Sequence, residues 1–383
     1  MAVVDLFCGC GGASLGFQEA QVPSLEVKVV AGVDIDEYAC RTFEKMLGSP
    51  AHRVDVRQIL AKKKIRDGLL REWGLTGFDR FVLIGCAPCQ GFAAHRKAVR
   101  GRDFRRSLFV VFSELAVLLQ PDAVFCENVP DLLARRHWPY YTRGRDLLRR
   151  AGYDVKTRIY NLAAFGLPQE RFRAVMLASR TAVSMPEPLL DYEHFRTVRN
   201  AIGHLPPLVG GQTSESDPMH QTSRHRPETI DILRRVPRDG GNRPIGVGPA
   251  CLDRARRLHG GYTDVYGRLA WDRPAVTITA RCRTPSCGRF AHPEQDRGLS
   301  IREAALLQGF PANFSFEGPF DDKFKQVGNA VPPLVARTFA ESLLSTLRSG
   351  SARRDDPLDI REPVGPGFAV TINGIKRRRS AAA

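Results

Sequence analysis

The chain opens on a nearly unbroken apolar run, Ala2-Val3-Val4-Asp5-Leu6-Phe7, which predicts a short buried strand leading straight into a glycine cluster. An amphipathic stretch from Ala13 to Ala20 predicts a helix, and Val27 to Val33 a second apolar strand. Phe78 to Ile84 predicts another strand, ahead of Gly85-Cys86-Ala87-Pro88-Cys89-Gln90-Gly91. Leu108 to Leu119 has the length and periodicity of a helix, which Pro121 ends. Ala123 to Cys126 reads as a fourth strand, Arg143 to Ala151 as a helix, and Tyr153 to Leu162 and Ala174 to Ser179 as two further strands. Strands alternating with helices of this length predict an α/β fold with a mostly parallel sheet.

The texture changes near residue 185. From Pro186 to about Arg297, Pro, Gly, Arg and His are frequent and long apolar runs scarce, which predicts a smaller, irregular second domain. Regular patterning returns with Ser300 to Leu307 and with a helix from Pro333 to about Leu347. The expected organisation is a large domain over 1–190, a small domain over 191–322, a segment over 323–348 returning to the large domain, and a mobile basic tail over 349–383 that ends in Lys376-Arg377-Arg378-Arg379.

Composition narrows the class. The 383 residues leave room for two domains with a sizeable core, and the balance of 43% apolar and 26% charged residues excludes a disordered chain. No run approaches the ~18 apolar residues of a membrane helix. The N-terminus lacks the basic start of a signal peptide, so a soluble cytoplasmic protein is expected. A formal net charge of +16 points to a polyanionic partner, nucleic acid first; a basic composition without a specific partner is the bland alternative. Nine cysteines, an odd count with several inside apolar runs, predict free or catalytic thiols rather than a disulfide framework.

Candidate chemistry gathers where the predicted strands end. Asp5-Leu6-Phe7-Cys8-Gly9-Cys10-Gly11-Gly12 lies between strand and helix, where a doubly wound fold binds an adenosine-type cofactor. Its glycines let the backbone approach a ligand, and the helix N-terminus favours an anionic group. The spacing departs from the dinucleotide pattern, so NAD is not the natural ligand; a merely structural tight turn is the alternative. Asp34, at the end of the next strand, is placed for ribose hydroxyls, and Asp55 is expected to end a third strand.

Cys89, directly after Pro88, is a candidate nucleophile. Two readings compete: a Cys86-x-x-Cys89 redox pair, or half a zinc site completed by Cys282, Cys287 or His292, whose spacings fit no common zinc pattern. Glu127-Asn128-Val129-Pro130 also follows an apolar strand, so Glu127 and Cys89 are expected to face one crevice. A thiol beside a carboxyl group suits addition to an electron-poor heteroaromatic ring. Arg171 and Arg173, two apart, would share a face if extended and could hold a carboxylate or phosphate bidentately. Either arginine alone reads as a solvated surface charge.

Taken together, DLFCGCGG at 5–12, VDIDEYA at 33–39, APCQGF at 87–92, ENVP at 127–130, QERFR at 169–173, SIREAALLQGFP at 300–311 and QVGNAVPP at 326–333 resemble, in order, the motifs of the bacterial-type DNA (cytosine-5) methyltransferase family. The resemblance spans residue 2 to about 347. It implies a Rossmann-like methyltransferase fold with a small target-recognition domain, S-adenosylmethionine as cofactor and no metal. The implied reaction is methyl transfer to carbon 5 of a cytosine flipped out of a specific short double-stranded DNA sequence.

By motif position, Cys89 adds to carbon 6, Glu127 contacts ring nitrogen 3 and the exocyclic amine, and Arg171 and Arg173 brace the site. Phe7, Gly9, Cys10 and Gly12 match the loop around the cofactor's methionine and adenosine, Asp34 its ribose carboxylate, and Asp55 the acceptor of the adenine amine. Pro88, Leu108, Asn329 and Val331 complete the implied pocket. Ile35 stands where some members carry an aromatic residue that stacks on adenine, leaving aliphatic contact only. Cys8 and Cys10 become small apolar fillers. Gln90 and Thr277 are implied DNA contacts.

The resemblance further implies a monomer in the bacterial cytoplasm, at the nucleoid, with a cognate restriction endonuclease as a candidate partner. A related branch acts on tRNA, but its Cys-Phe-Thr signature is absent. A silent DNA-binding paralogue is disfavoured by intact Cys89, Glu127, Arg171 and Arg173. Amino-group methylation is disfavoured too, because both Pro-Pro pairs, 206–207 and 332–333, are followed by leucine.

Overall fold

The computed structural model describes residues 1–88, 107–259, 261, 263–350 and 357–365. The chain divides into two compact units. Unit 1 comprises Met1–Asn161, Phe172–Glu187 and Ala336–Ala383, and unit 2 Leu162–Arg171 and Pro188–Val335.

Unit 1 runs β1 (Ala2–Leu6), α1 (Gly12–Gln18), β2 (Lys28–Asp34), α2 (Glu37–Leu47), β3 (Ala51–Arg53), α3 (Val56–Ala61), α4 (Lys63–Trp73), β4 (Phe81–Gly85), α5 (Leu108–Leu119), β5 (Ala123–Asn128), α6 (Trp138–Arg150), β6 (Asp154–Asn161) and β7 (Phe172–Ser179). The strands form one sheet in the order β3-β2-β1-β4-β5-β7-β6. Pairing is parallel from β3 through β5, and β7 runs antiparallel to both its neighbours. Every residue of β1, β4 and β5 is buried. Strands covered on both faces are mostly apolar, which is why these three are legible as near-continuous runs; their buried polar residues are Asp5 in β1 and Glu127 and Asn128 at the end of β5.

Several boundaries and one segment differ from the sequence reading; β4, for example, starts at Phe81 rather than Phe78, and β5 runs on to Asn128. α6 begins at Trp138, not Arg143, because Pro139 sits in its first turn, where a missing N–H costs nothing. β3 stops at Arg53, so Asp55 does not end a strand. Residues 357–365, within the expected tail, are tied to unit 1: Ile360 N–H donates to Thr157 O and Thr157 N–H to Asp359 Oδ1, both at 2.8 Å. Val364 N–H donates to Leu133 O at 3.1 Å. The segment thus occupies the exposed hydrogen-bonding side of β6, the sheet's edge strand, and the side chains of Ile360 and Val364 join the core.

Unit 2 contains α7 (Val198–Ile202), α8 (Pro227–Arg235), α9 (Ala250–His259), α10 (Ile301–Leu307) and α11 (Phe320–Asn329), and α12 (Pro333–Ser349) starts in it. Its described residues pair only through isolated bridges such as Thr213 with Gln221 and Thr222 with Ser300. With so little ladder, buried side chains satisfy the loop carbonyls. The fully buried Arg268 donates to Leu233 O, Val236 O, His292 O and Gln295 O. Arg297 grips Glu303 bidentately at 2.8 and 2.7 Å, and Glu303 in turn closes a capping box with Ser300 at the start of α10.

Candidate active site

β1 ends at Leu6 and the backbone turns at once. Phe7 takes a φ of 67°, and the N–H groups of Phe7 and Cys8 donate to Val33 O at 2.8 and 3.0 Å. Gly9 N–H donates to Asp34 Oδ2 at 2.9 Å, while Oδ1 accepts from Ile35 and Asp36 N–H at 2.7 and 2.9 Å. Asp34 is therefore the peg around which the glycine loop winds. Burial holds its carboxyl above the usual range, although these backbone bonds pull it down. Gly11, at φ 89°, precedes α1, and a side chain there would press on Leu47 and Phe43 of α2. Gly12 is buried as the first residue of α1.

A Cβ on Gly9 would meet nothing within 4 Å, and Ile35 is 67% exposed. The loop thus leaves open space next to a carboxylate and an aliphatic side chain. Cys8 and Cys10 are buried, which pushes Cys10 up to about 12 and Cys8 well above its ordinary value, so neither offers a thiolate. Asp55 caps α3, accepting from Arg57 N–H at 2.9 Å. The Arg57 guanidinium grips the same carboxylate and holds it below the usual range. Leu108 opens α5 and belongs to the core cluster.

The second constellation sits where β4 and β5 end. Glu127, 8% exposed, receives Arg173 Nε of β7 on its Oε1 at 2.7 Å. Its backbone N–H donates to Cys86 Sγ at 3.4 Å. Asn128 Nδ2 donates to Ala87 O at 3.1 Å, and Asn128 Oδ1 accepts from Val129 N–H at 2.9 Å. Pro88, half-buried, is the last described residue before Cys89; Cys89 and Gln90 lie outside the described residues. A carboxyl group braced by a guanidinium has a fixed orientation: it can accept from an exocyclic amine and, when protonated, donate to a ring nitrogen.

The two arginines of QERFR part ways. Arg173 lies on β7 in unit 1 and holds Glu127. Arg171 lies in unit 2, 3% exposed, and donates to Ile278 O and Ala330 O at 3.1 and 3.2 Å. Thr277, half-buried, donates its hydroxyl to Glu170 O at 2.8 Å. Asn329 is exposed at the end of α11, and Val331 is buried just beyond it.

Sequence reasoning assigned no role to two glutamines of this unit. Gln169, fully buried, donates to Leu307 O at 2.8 Å and Gln308 Oε1 at 2.7 Å, and accepts from Ile278 N–H at 2.9 Å. Gln308, equally buried, donates to Ala330 O at 2.7 Å. With Arg171, this network joins the QERFR, LQGF and GNAV segments. Its trace in the sequence is Gln308, a polar amide between Leu307 and Gly309-Phe310; Gln169 sits beside Glu170 and Arg171 and gives no such signal. Of the residues weighed for a zinc site, His292 Nδ1 accepts from Glu294 and Gln295 N–H, Cys282 is buried and Cys287 is exposed, while Cys89 lies outside the described residues. Among the described residues no three His, Cys, Asp or Glu side chains cluster as metal ligands, and no helix is long and apolar enough to cross a membrane.

Comparison with known proteins places this geometry. The chain is 35% identical over 355 residues to the type II methylase M.HgiDII of Herpetosiphon aurantiacus, covering 89% of this chain and 94% of that protein. It is 33% identical over 351 residues to the type II methyltransferase M1.HphI of Haemophilus parahaemolyticus, covering 90% and 87%. In fold it resembles a solved structure described as a DNA modification methyltransferase encoded within an Escherichia coli prophage. That match has a TM-score of 0.69 at 23% identity, covering 91% of this chain and 99% of that one. The Dnmt2 methyltransferase of S. pombe is a more distant match, with a TM-score of 0.53 at 18% identity over 91% and 99% of the two chains. Residues 1–345 match the C-5 cytosine-specific DNA methylase family, and the chain belongs to that family.

Proposed function

We propose that the chain methylates carbon 5 of a cytosine flipped out of a specific short double-stranded DNA sequence, through a covalent adduct with Cys89. The observation that carries this reading is the Glu127–Arg173 pair at 2.7 Å, tied through Cys86 and Asn128 to the end of β4 from which Cys89 follows. Carbon 5 of cytosine is a poor nucleophile. Addition of the Cys89 sulfur to carbon 6 makes carbon 5 enamine-like, and Glu127, oriented by Arg173, hydrogen-bonds ring nitrogen 3 and the exocyclic amine to stabilise the adduct. Loss of the carbon 5 proton and expulsion of the Cys89 thiolate then restore the ring. A base inside the duplex cannot reach such a site, so it must be flipped.

The cofactor we assign is S-adenosylmethionine, which when bound supplies an electrophilic methyl group. The glycine loop fits it: open space at Gly9, Asp34 to accept from ribose hydroxyls, Ile35 for aliphatic contact with adenine and Asp55 for its amine. The other implied cofactor residues are Phe7, Cys10, Gly12, Pro88, Leu108, Asn329 and Val331. Gln90 and Thr277 are assigned to DNA, unit 2 to target recognition, and the charge of +16 to the phosphate backbone. A bacterial cytoplasmic monomer, either paired with a restriction endonuclease for the same site or acting as an orphan methylase, completes the reading.

The test is expression of the wild type and Cys89→Ala in a methylation-free bacterial host, with 5-methylcytosine mapped across the host DNA. Methylation at one short motif with the wild type alone is the expected result. No marking by either soluble protein would overturn the DNA reading and make tRNA the next substrate to try.

A further inference from the structure

The registered parallel pairs of β4 and β5 end at Ile84 with Phe125. Both strands run further, and beyond that pair two side chains hold them together. Cys86 Sγ accepts from Glu127 N–H at 3.4 Å, and Asn128 Nδ2 donates to Ala87 O at 3.1 Å. Glu127 is thereby tied on the β4 side through its backbone, by the sulfur of Cys86, while its carboxylate meets Arg173 at 2.7 Å and β5 pairs with β7 on the other side.

We propose that Cys86 is a positioning residue for the methyl transfer, its sulfur fixing Glu127 relative to the end of β4 by accepting the Glu127 N–H. The proposal rests on the function proposed above. A thiol is suited to this place because it can accept a hydrogen bond without carrying charge. Burial first, and then Cys126 and Glu127 nearby, push the Cys86 thiol well above its ordinary range, so it stays protonated at neutral pH and does not repel the carboxylate. The Cys-x-x-Cys pattern therefore divides its labour. Cys89 is the nucleophile, and Cys86 orients the carboxylate that works with it.

The bond matters because its donor has little alternative. Glu127 is buried, and an N–H left without an acceptor there costs more than the bond itself contributes. On losing the sulfur, the end of β5 would shift away from the end of β4, and Glu127 would lose its alignment while β7 and Arg173 still held its other side. That would damage the chemical step and leave the binding of DNA and cofactor intact.

The experiment compares Cys86→Ala, Cys86→Val and Cys86→Ser with the wild type in the full chain. It measures kcat, KM for DNA and KM for S-adenosylmethionine, and the exchange rate of the Glu127 amide. Alanine and valine should each lower kcat about tenfold, with both KM values within about twofold of the wild type and faster exchange at Glu127. Serine, whose hydroxyl accepts the same bond, should recover most of both. Valine fills the place of the sulfur and is about one methyl group larger, so a loss shared by alanine and valine is the mark of neither a cavity nor overpacking. Wild-type kcat in the valine variant, equal damage in the serine and valine variants, or a loss expressed in KM would each overturn the proposal, as would unchanged exchange at Glu127. If the wild type itself transfers no methyl group to DNA, the functional reading fails, while the exchange rates still decide whether Cys86 holds Glu127.

Discussion

Asp5→Asn should abolish a pH dependence of stability that the wild type carries in β1. Asp5 is 1% exposed; its Oδ2 accepts from Ser14 Oγ at 2.6 Å, and its Oδ1 is buried with no hydrogen-bond partner among the described residues. Burial raises its carboxyl from 3.8 to about 7, against the pull of the Ser14 bond and with a further push from Asp34. The folded state thus keeps a proton that the unfolded chain has lost. Asp5 contributes stability that is fully present below pH ~4, falls by about 1.4 kcal/mol per pH unit above it, and is gone above pH ~7. The whole contribution is about 4 kcal/mol, from a shift of roughly three units at 1.36 kcal/mol each. Asparagine keeps the shape and an acceptor for Ser14 but cannot ionise.

Hydrogen exchange of the β1 amides, taken as the ratio of variant to wild type at each pH so that intrinsic rates cancel, reads this difference directly. The free energy of the variant relative to the wild type should climb by about 3 kcal/mol between pH 4.5 and 8. A difference that stays flat across that range would refute the reasoning, because Asp5 would then titrate alike in the folded and unfolded chains.

Three further outcomes follow from the geometry. His292, pushed down to about 4 chiefly by burial, stays neutral in unit 2 where the unfolded chain would protonate it. Its contribution of about 3 kcal/mol is present above pH ~6.5 and lost as the pH falls through about 4, so urea unfolding of His292→Asn should show a shallower acid limb than the wild type. Gly85→Ala would drive a methyl group into the Phe112 ring at the end of β4, and urea midpoints should report a loss of about 1–3 kcal/mol. Arg173→Ala leaves the Glu127 carboxylate without its brace, and labelled-methyl transfer should fall about a hundredfold in kcat with little change in KM for DNA.

The sheet's centre was legible because β1, β4 and β5 are buried on both faces and are apolar along most of their length. The edge was not. Lys63 to Trp73 folds as α4 around only two buried residues, Leu69 and Trp73, so its pattern carries little apolar signal. Residues 357–365 look like a polar tail because what holds them is the open edge of β6, about 200 positions away in sequence.

The sequence by itself determined where chemistry can occur. Asp5 through Gly12 and Gly85 through Cys89 follow apolar strands, and in a parallel sheet such positions gather at one edge. The order of the motifs then determined the family. Only the tertiary structure decided what the polar side chains do with one another. Arg171 and Arg173 are indistinguishable along the chain, yet one holds the carbonyls of Ile278 and Ala330 and the other holds Glu127. Gln169 and Gln308 meet across 139 positions, and Cys86 finds Glu127 across 41. Apolar periodicity is a local property, because burial of a face requires only that neighbours along the chain point the same way. A hydrogen bond needs its partner at one distance and angle, and only the folded backbone supplies that.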